Sequence, residues 1–248
     1  MSISSFEFTI SDKYDYTKSS EENYRCDDAP FVGKYQNIRN RLDYTYHHHY
    51  SVERQLLQDN LIELFLKTIV HDHSRNLICE VPLENWIVFT AGPMGAGKGH
   101  TVQWLYHQGL FPFDAFVNVD PDAIRSLLPE FSSYIKHNIS IAGSLTQKEV
   151  GYISEILSYD ALKLGKNVLV DGSLRNTYWY LEYFKNLRAE FPIVKIAIIE
   201  VAAQPKTVLF RAARRSLVTG RVVPEAVILD SIEKIPVRAV YYIRITIE

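Results

Sequence analysis

Cysteine is scarce: the 248 residues contain only Cys26 and Cys79. Far apart and outside any metal-type spacing, the two supply neither a disulfide framework nor a zinc site, and a reducing cytosol is their natural setting. No apolar run approaches the roughly 20 residues that a membrane-spanning helix needs. The first residues, Met1-Ser2-Ile3-Ser4-Ser5-Phe6, lack a basic stretch followed by an apolar one, so a soluble, unexported, cytoplasmic protein is expected. Neither sign of charge is in excess. With 27 basic and 29 acidic residues the formal charge is −2, which offers no global attraction to nucleic acid or to an anionic membrane. Internal repeats and low-complexity linkers are missing as well. What is present is 47% hydrophobic residues, ample for a buried core. The length suits one α/β domain with an extension.

Residues 1 to about 50 are rich in Tyr, Asp, Ser and Asn with little periodicity, and their aromatics favour an irregular arm that wraps a core. From Ser51 to near His71, Leu56, Leu57, Leu61, Leu64, Phe65 and Ile69 recur at helical spacing. Strands and helices alternate beyond that. Trp86 to Ala91, Ala115 to Val119, Asn167 to Val170 and Ile193 to Val201 read as strands. Helices are expected from Pro121 to before Pro129, from a Thr146/Glu149 capping box to Gly165, and over Tyr178–Ala189, Pro205–Leu217 and Pro224–Ile235. Short connections between parallel strands require crossover helices, so the pattern predicts a mostly parallel sheet with helices on both faces. The tail Tyr241 to Ile247 alternates like an edge strand. The expected organisation is an arm over residues 1–50 and one domain over 51–248.

Chemistry concentrates just after strands, where ligands bind in open parallel sheets. Gly92-Pro93-Met94-Gly95-Ala96-Gly97-Lys98-Gly99 follows the first strand and, with His100, precedes the helix-compatible Thr101-Val102-Gln103-Trp104-Leu105. Such a loop turns backbone N–H groups around a polyphosphate, and Lys98 brings charge to the terminal phosphates. ATP or GTP is the implied ligand. Gly99 stands where the usual loop carries a Ser or Thr that ligates Mg²⁺, so no direct metal ligand is assigned and Mg²⁺ is expected to bind through water.

Three further clusters accompany this loop. In Asp120-Pro121-Asp122, one carboxylate could hold Mg²⁺ through water while the other takes a proton from a substrate hydroxyl; helix capping would use the same residues. Asp171-Gly172-Ser173-Leu174-Arg175 presents polar groups to a ligand and a guanidinium to a phosphate, or forms an ordinary strand-to-helix turn. Arg211, Arg214, Arg215 and Arg221 supply planar cations suited to charge developing in phosphoryl transfer, or a solvated basic helix. His47-His48-His49 reads as an aromatic-rich turn, since contiguous histidines cannot all face one ion.

Taken in order, these residues resemble the zeta-toxin family of P-loop kinases over roughly Trp86 to Ile235. The resemblance rests on Gly92 to Lys98, Val119-Asp120-Pro121-Asp122, Glu155, Val170 to Arg175, and Arg214 with Thr219-Gly220-Arg221-Val222-Val223-Pro224. It implies that Asp122 is the general base for a sugar hydroxyl, and that Glu155, Asp171 and Ser173 line a sugar pocket. Lys98, Arg214 and Arg221 would then surround the transferred phosphate. Asp171 stands where bacterial members often have Glu. Residues 41–59 look like the N-terminal extension of larger, eukaryote-type members. The resemblance implies a nucleotide sugar such as UDP-N-acetylglucosamine, or a similar metabolite, as acceptor; related kinases modify NAD. A polynucleotide 5′-hydroxyl kinase and a non-catalytic nucleotide-binding protein are the alternatives. No antitoxin segment is visible, and an antitoxin-like partner is left unassigned.

Overall fold

The computed structural model describes residues 8–66, 71–72, 77–78, 85–219 and 222–239; residues 71–72, 77–78, 177, 217–219 and 235–239 are described by backbone alone. In chain order the elements are α1 (Ser20–Asn23), α2 (Gln36–Arg39), α3 (Val52–Leu66), β1 (His71–Asp72), β2 (Leu77–Ile78), β3 (Trp86–Ala91), α4 (Lys98–His107), β4 (Phe116–Val119), α5 (Pro121–Ser126), α6 (Phe131–Leu145), α7 (Gln147–Lys163), β5 (Asn167–Val170), α8 (Thr177–Glu190), β6 (Lys195–Glu200), α9 (Pro205–Thr219) and α10 (Glu225–Ala239). Two compact units divide the chain. Unit 1 is Met1–Lys67 with Pro121–Asp160, and unit 2 is Thr68–Asp120 with Ala161–Glu248.

Unit 2 contains the expected parallel sheet, in the order β4-β5-β3-β6. Fully parallel strands are covered on both faces and therefore read as continuous apolar runs, as Ile87, Val88, Phe89, Val117, Val168 and Leu169 do, all buried. Asn167 fixes the start of the central strands: its Oδ1 accepts from the Trp86 N–H at 2.9 Å and its Nδ2 donates to the Ala115 carbonyl at 3.2 Å. Phe89, fully buried in β3, meets Tyr180, Tyr183 and Phe184 of α8 edge to face, with centroids 4.9–6.1 Å apart. Gly165 ends α7 with φ 71°, and the Lys166 N–H caps the Ala161 carbonyl at 3.0 Å. Register pairs Val119 with Val170 and Ala91 with Glu200, which brings the carboxyl ends of all four strands to one edge. The expected strand over 241–247 lies outside the described residues.

Unit 1 departs from the sequence reading in what it buries. The apolar residues that recur at helical spacing form α3, which ends at Leu66 while His71, near which the helix was expected to end, opens β1, and of these residues Leu61 is buried while Leu64 is 55% exposed. The inner face is largely polar: Arg54, Gln55, Gln58 and Asp59, with Leu61, Ile62 and Leu66. The reason is an ionic cluster. Arg54 pairs with Glu130 and, through Nε at 2.5 Å and Nη2 at 2.8 Å, with Glu149; all three side chains are fully buried. Gln58 Nε2 adds a bond to Glu149 at 2.9 Å, and the rings of Tyr24 and Phe8 lie 4.0 and 5.2 Å from the guanidinium. Burial pushes the Glu130 carboxyl above its usual range, helped by repulsion from Glu149; Glu149 is buried too, but Arg54 brings it below the usual range.

This cluster also removes the expected capping box. Glu149 is committed to Arg54, and the Thr146 hydroxyl accepts from Arg125 Nε at 3.0 Å. Helix α6, which was not anticipated, is rich in Ser and β-branched Ile and breaks helical geometry at Asn138. The arm wraps as expected within this unit. Tyr14 reaches the Tyr134 hydroxyl of α6 at 2.7 Å, Tyr44 the Tyr152 hydroxyl of α7 at 3.0 Å, and His47 Nε2 the Glu155 carboxylate at 3.0 Å.

Removing one partner of a buried ion pair strands the other charge. Arg54→Ala should destabilise the protein by about 3–5 kcal/mol, read as a lower urea midpoint. Asp27→Ala, which breaks only the exposed Arg25–Asp27 pair, should leave the urea midpoint at the wild-type value within error.

Candidate active site

The phosphate loop of unit 2 leaves β3 at Ala91, in the centre of the sheet, and enters α4 at Lys98. Gly97 caps α4 in the left-handed conformation, φ 96° and ψ 25°, so the first N–H groups of the helix point out of its end where an anion binds. Gly95, with φ 91°, has a different constraint. A Cβ there would stand 2.3 Å from the Val208 carbonyl and 3.1 Å from the Ala212 N–H, so the backbone of α9 presses directly on the loop. Met94 fastens this contact by packing on the apolar cluster of Val208, Ala212 and Ile228. Lys98 Nζ donates to the carbonyls of Gly92 and Pro93 at 3.1 and 3.3 Å. Gly99 and His100 are exposed on the first turn, and a Cβ at Gly99 would meet nothing within 4 Å.

Helix α9 brings a cation to this loop. Arg211 Nη1 lies 3.4 Å from where a Gly97 Cβ would be, an ordinary contact distance that places the guanidinium beside the loop. Arg214 and Arg215 are exposed farther along the same helix, and Arg221 lies outside the described residues. The sequence reading had grouped Arg211 with the others and given the phosphate role to Arg214 and Arg221. The spacing alone could not choose, because every member of a short basic run shares its helix with the next.

A second tie crosses from β3 to the segment after β5. The Thr90 hydroxyl donates to Asp171 Oδ1 at 2.6 Å and accepts from the Gly172 N–H at 3.1 Å, while the Gly92 N–H reaches the Ser173 carbonyl at 3.3 Å. Asp171 and Ser173 are thereby held beside the loop. Leu174 then takes φ 53° and is buried, a costly conformation for a residue with a side chain, while Arg175 is left exposed. Thr90 was missed by sequence reasoning although a signal existed: it is the one hydroxyl in an otherwise apolar strand, and it is 2% exposed. Asp120 follows β4, and the Asp171 N–H donates to the Val119 carbonyl at 2.9 Å, so Asp120 and Asp171 end neighbouring strands. Beside the loop, Gly92, Pro93, Glu200, Val201, Ala202, Ala203 and Ile232 line a small, open indentation.

Unit 1 carries the remaining predicted residues. Asp122 lies in the first turn of α5 and pairs with Arg125, which is 1% exposed. Arg125 is fixed in turn by the Thr146 hydroxyl and by Gln147 Oε1 at 2.7 Å. Glu155, on α7, is 9% exposed and holds His47 of the arm. The histidine turn is thus an aromatic packing element, with His49 stacked on Phe31 at 4.8 Å. Among the described residues no group of three or more His, Cys, Asp or Glu is arranged to hold a metal, and no helix is long and apolar enough to cross a membrane.

The profile of the zeta toxin family matches residues 76–240, more than half of the chain. The chain belongs to the zeta-toxin family. Zeta-toxin proteins are phosphotransferases, and this one is a kinase with an alcohol group as acceptor. The solved structure of the PezAT chromosomal toxin–antitoxin system of Streptococcus pneumoniae is 17% identical, with a TM-score of 0.55 over 74% of this zeta-toxin chain and 71% of that one. AvrRxo1-ORF1:AvrRxo1-ORF2 with sulphate ions is 13% identical, TM-score 0.59, covering 91% of this chain and 68% of that one. The same complex with ATP is 15% identical, TM-score 0.54, covering 90% and 67%. At such identities the likeness is one of fold. No curated protein sequence matches the chain.

If helix α9 sets the loop, a methyl group at Gly95 must displace it. Gly95→Ala should cost about 2 kcal/mol or more and weaken ATP binding at least about ten-fold by titration calorimetry. Gly99→Ala, which meets no neighbour, should keep or raise the melting temperature.

Proposed function

We propose that this chain is a cytoplasmic, ATP-dependent kinase that transfers the γ-phosphate to a hydroxyl of a nucleotide sugar or a similar small metabolite, GTP being the alternative donor. The observation that carries the reading is the loop itself: a helix N-terminus, Lys98 and Arg211 gathered on one polyphosphate-sized cradle, with Asp171 and Ser173 tied beside it. The neighbour solved with ATP supports the choice of donor. Donor phosphates lie against the backbone of residues 92–100, with the base toward the indentation at Val201 to Ala203.

In the reaction the acceptor oxygen attacks the γ-phosphorus, the bond to the β–γ bridging oxygen breaks, and the nucleoside diphosphate leaves. The hydroxyl proton passes to Asp122, whose direction is set by Arg125. Lys98 and Arg211 neutralise charge on the phosphate oxygens, with Arg214 and Arg221 as further cations of that group. Glu155, Asp171 and Ser173 orient the acceptor by hydrogen bonding, and Arg175 contacts one of its phosphates. The residues present fit Mg²⁺: two carboxylates, Asp120 and Asp171, end adjacent strands, a set suited to a hard cation that keeps most of its waters. Bound by Asp120 and Asp171 through its waters, Mg²⁺ would draw charge from the donor phosphates. A protein partner, as in the neighbouring toxin–antitoxin and ORF1:ORF2 complexes, belongs to the same reading.

Incubation with labelled ATP and a metabolite extract, followed by mass spectrometry of new phosphoesters, tests the assignment. Asp122→Asn should lower transfer by about 10²–10⁴-fold with ATP affinity retained. Transfer should stop on addition of EDTA and return with Mg²⁺. ATP binding by the wild-type protein with no phosphoester formed would overturn the kinase reading.

A further inference from the structure

Strand β3 buries one hydroxyl, that of Thr90, at 2% exposure. Burying a hydroxyl costs free energy unless its hydrogen bonds are made, and here they go to a single turn. A threonine hydroxyl has one proton to give and two lone pairs. The proton goes to Asp171 Oδ1, where the 2.6 Å separation is that of a charge-assisted bond, rather than to the Gly172 carbonyl at 3.2 Å. A lone pair takes the Gly172 N–H at 3.1 Å. Valine would suit a strand as well, so it is the oxygen, not the shape, that this position uses.

Other groups bear on the same turn. A Cβ at Gly172 would stand 2.9 Å from the Tyr180 hydroxyl and 3.8 Å from the Thr90 carbonyl. The Tyr180 ring has little room to yield, because Phe89, Trp179 and Phe184 pack around it with centroids 4.8–6.0 Å away. Asp171 also donates its own N–H to the Val119 carbonyl at 2.9 Å. The carboxylate is thus set through its backbone, its side chain and the residue after it. With Oδ1 committed to Thr90, Oδ2 is the oxygen left to meet a ligand.

We propose that Thr90 is a positioning residue for the metal of the reaction: by fixing the Asp171 carboxylate it determines how tightly a hydrated Mg²⁺ is held. The inference rests on the kinase reading above and adds to it a residue that touches neither nucleotide nor acceptor. A carboxylate that holds an ion through water has no direct bond to the metal to aim it, so neighbouring hydrogen bonds must do so.

The test uses the full chain, Mn²⁺ as a probe for Mg²⁺, and a non-hydrolysable ATP analogue. Electron paramagnetic resonance follows free Mn²⁺, and calorimetry gives the analogue affinity without metal. Thr90→Val should weaken Mn²⁺ binding to the protein–analogue complex by about ten-fold, and raise in step the Mg²⁺ concentration that gives half-maximal transfer, while metal-free analogue affinity is retained. Thr90→Ser keeps the oxygen and loses a buried methyl group, so it should lower the melting temperature yet bind Mn²⁺ as wild type does. A merely structural role would not separate the two readouts in this way. Gly172→Ala, which must push the turn away from Tyr180, should also weaken Mn²⁺ binding, and it decides the matter if the valine variant does not fold. Wild-type Mn²⁺ affinity in folded Thr90→Val, or failing that in Gly172→Ala, would overturn the inference and leave the kinase reading standing. An equal loss of Mn²⁺ affinity in Thr90→Ser and Thr90→Val would do the same. Thr90-dependent Mn²⁺ binding with no transfer to any metabolite would overturn the kinase reading alone.

Discussion

A phosphate loop works only if its amides stay turned inward when no phosphate is there to hold them, and in this chain the enforcing contact is backbone against backbone. The Val208 carbonyl occupies the space that any side chain at residue 95 would need. Because that carbonyl belongs to α9, the helix that carries Arg211, one contact fixes both the amide cradle and the nearest guanidinium. The Thr90 hydroxyl repeats the device at the next strand, where a single oxygen sets both the Asp171 carboxylate and the turn at Gly172. Preorganised donors of this kind need not reorganise as charge moves, which is why a loop of small residues can serve a demanding reaction.

The four strands of the parallel sheet were legible in the sequence to within two residues, and the reason is their periodicity, whereas α10 runs to Ala239 where Ile235 was expected and the short pair β1 and β2 was not anticipated. Strands buried on both faces must be apolar at successive positions, so Trp86 to Ala91 and Asn167 to Val170 announce themselves. The loop was legible because polyphosphate binding restricts the residue types so strongly. Arg211 was not singled out, since its role depends on which face of α9 meets Gly97, and that is a tertiary fact.

Unit 1 was less legible because its core is stabilised in a way that hydrophobic patterning does not encode. A buried arginine facing two buried glutamates places Arg54, Gln58, Glu130 and Glu149 at positions that a pattern reader assigns to solvent. The leucines of α3 then mislead, and α6 goes unnoticed because its Ser and Ile residues carry weak helix propensity. The same cluster explains the order of the arm. Tyr24 and Phe8 cover the guanidinium, so a segment with little secondary structure of its own is held by the faces of its aromatic rings.

The pairing of Asp122 with Arg125 bears on what kind of base the proposed reaction uses. A carboxylate held by a buried guanidinium has a fixed direction. In phosphoryl transfer the transition state is loose, with little bonding to the nucleophile, so the proton need not be taken early and strong basicity gains little. Direction matters more, because the acceptor oxygen must lie in line with the breaking bond. Arg125 is suited to give that direction, since it is itself immobilised by Thr146 and Gln147 at the junction of α6 and α7. The contacts run from Asp122 through Arg125 to Thr146 and Gln147 at the start of α7, the helix that also carries Glu155, so the carboxylate proposed as base is held by the neighbourhood of that helix.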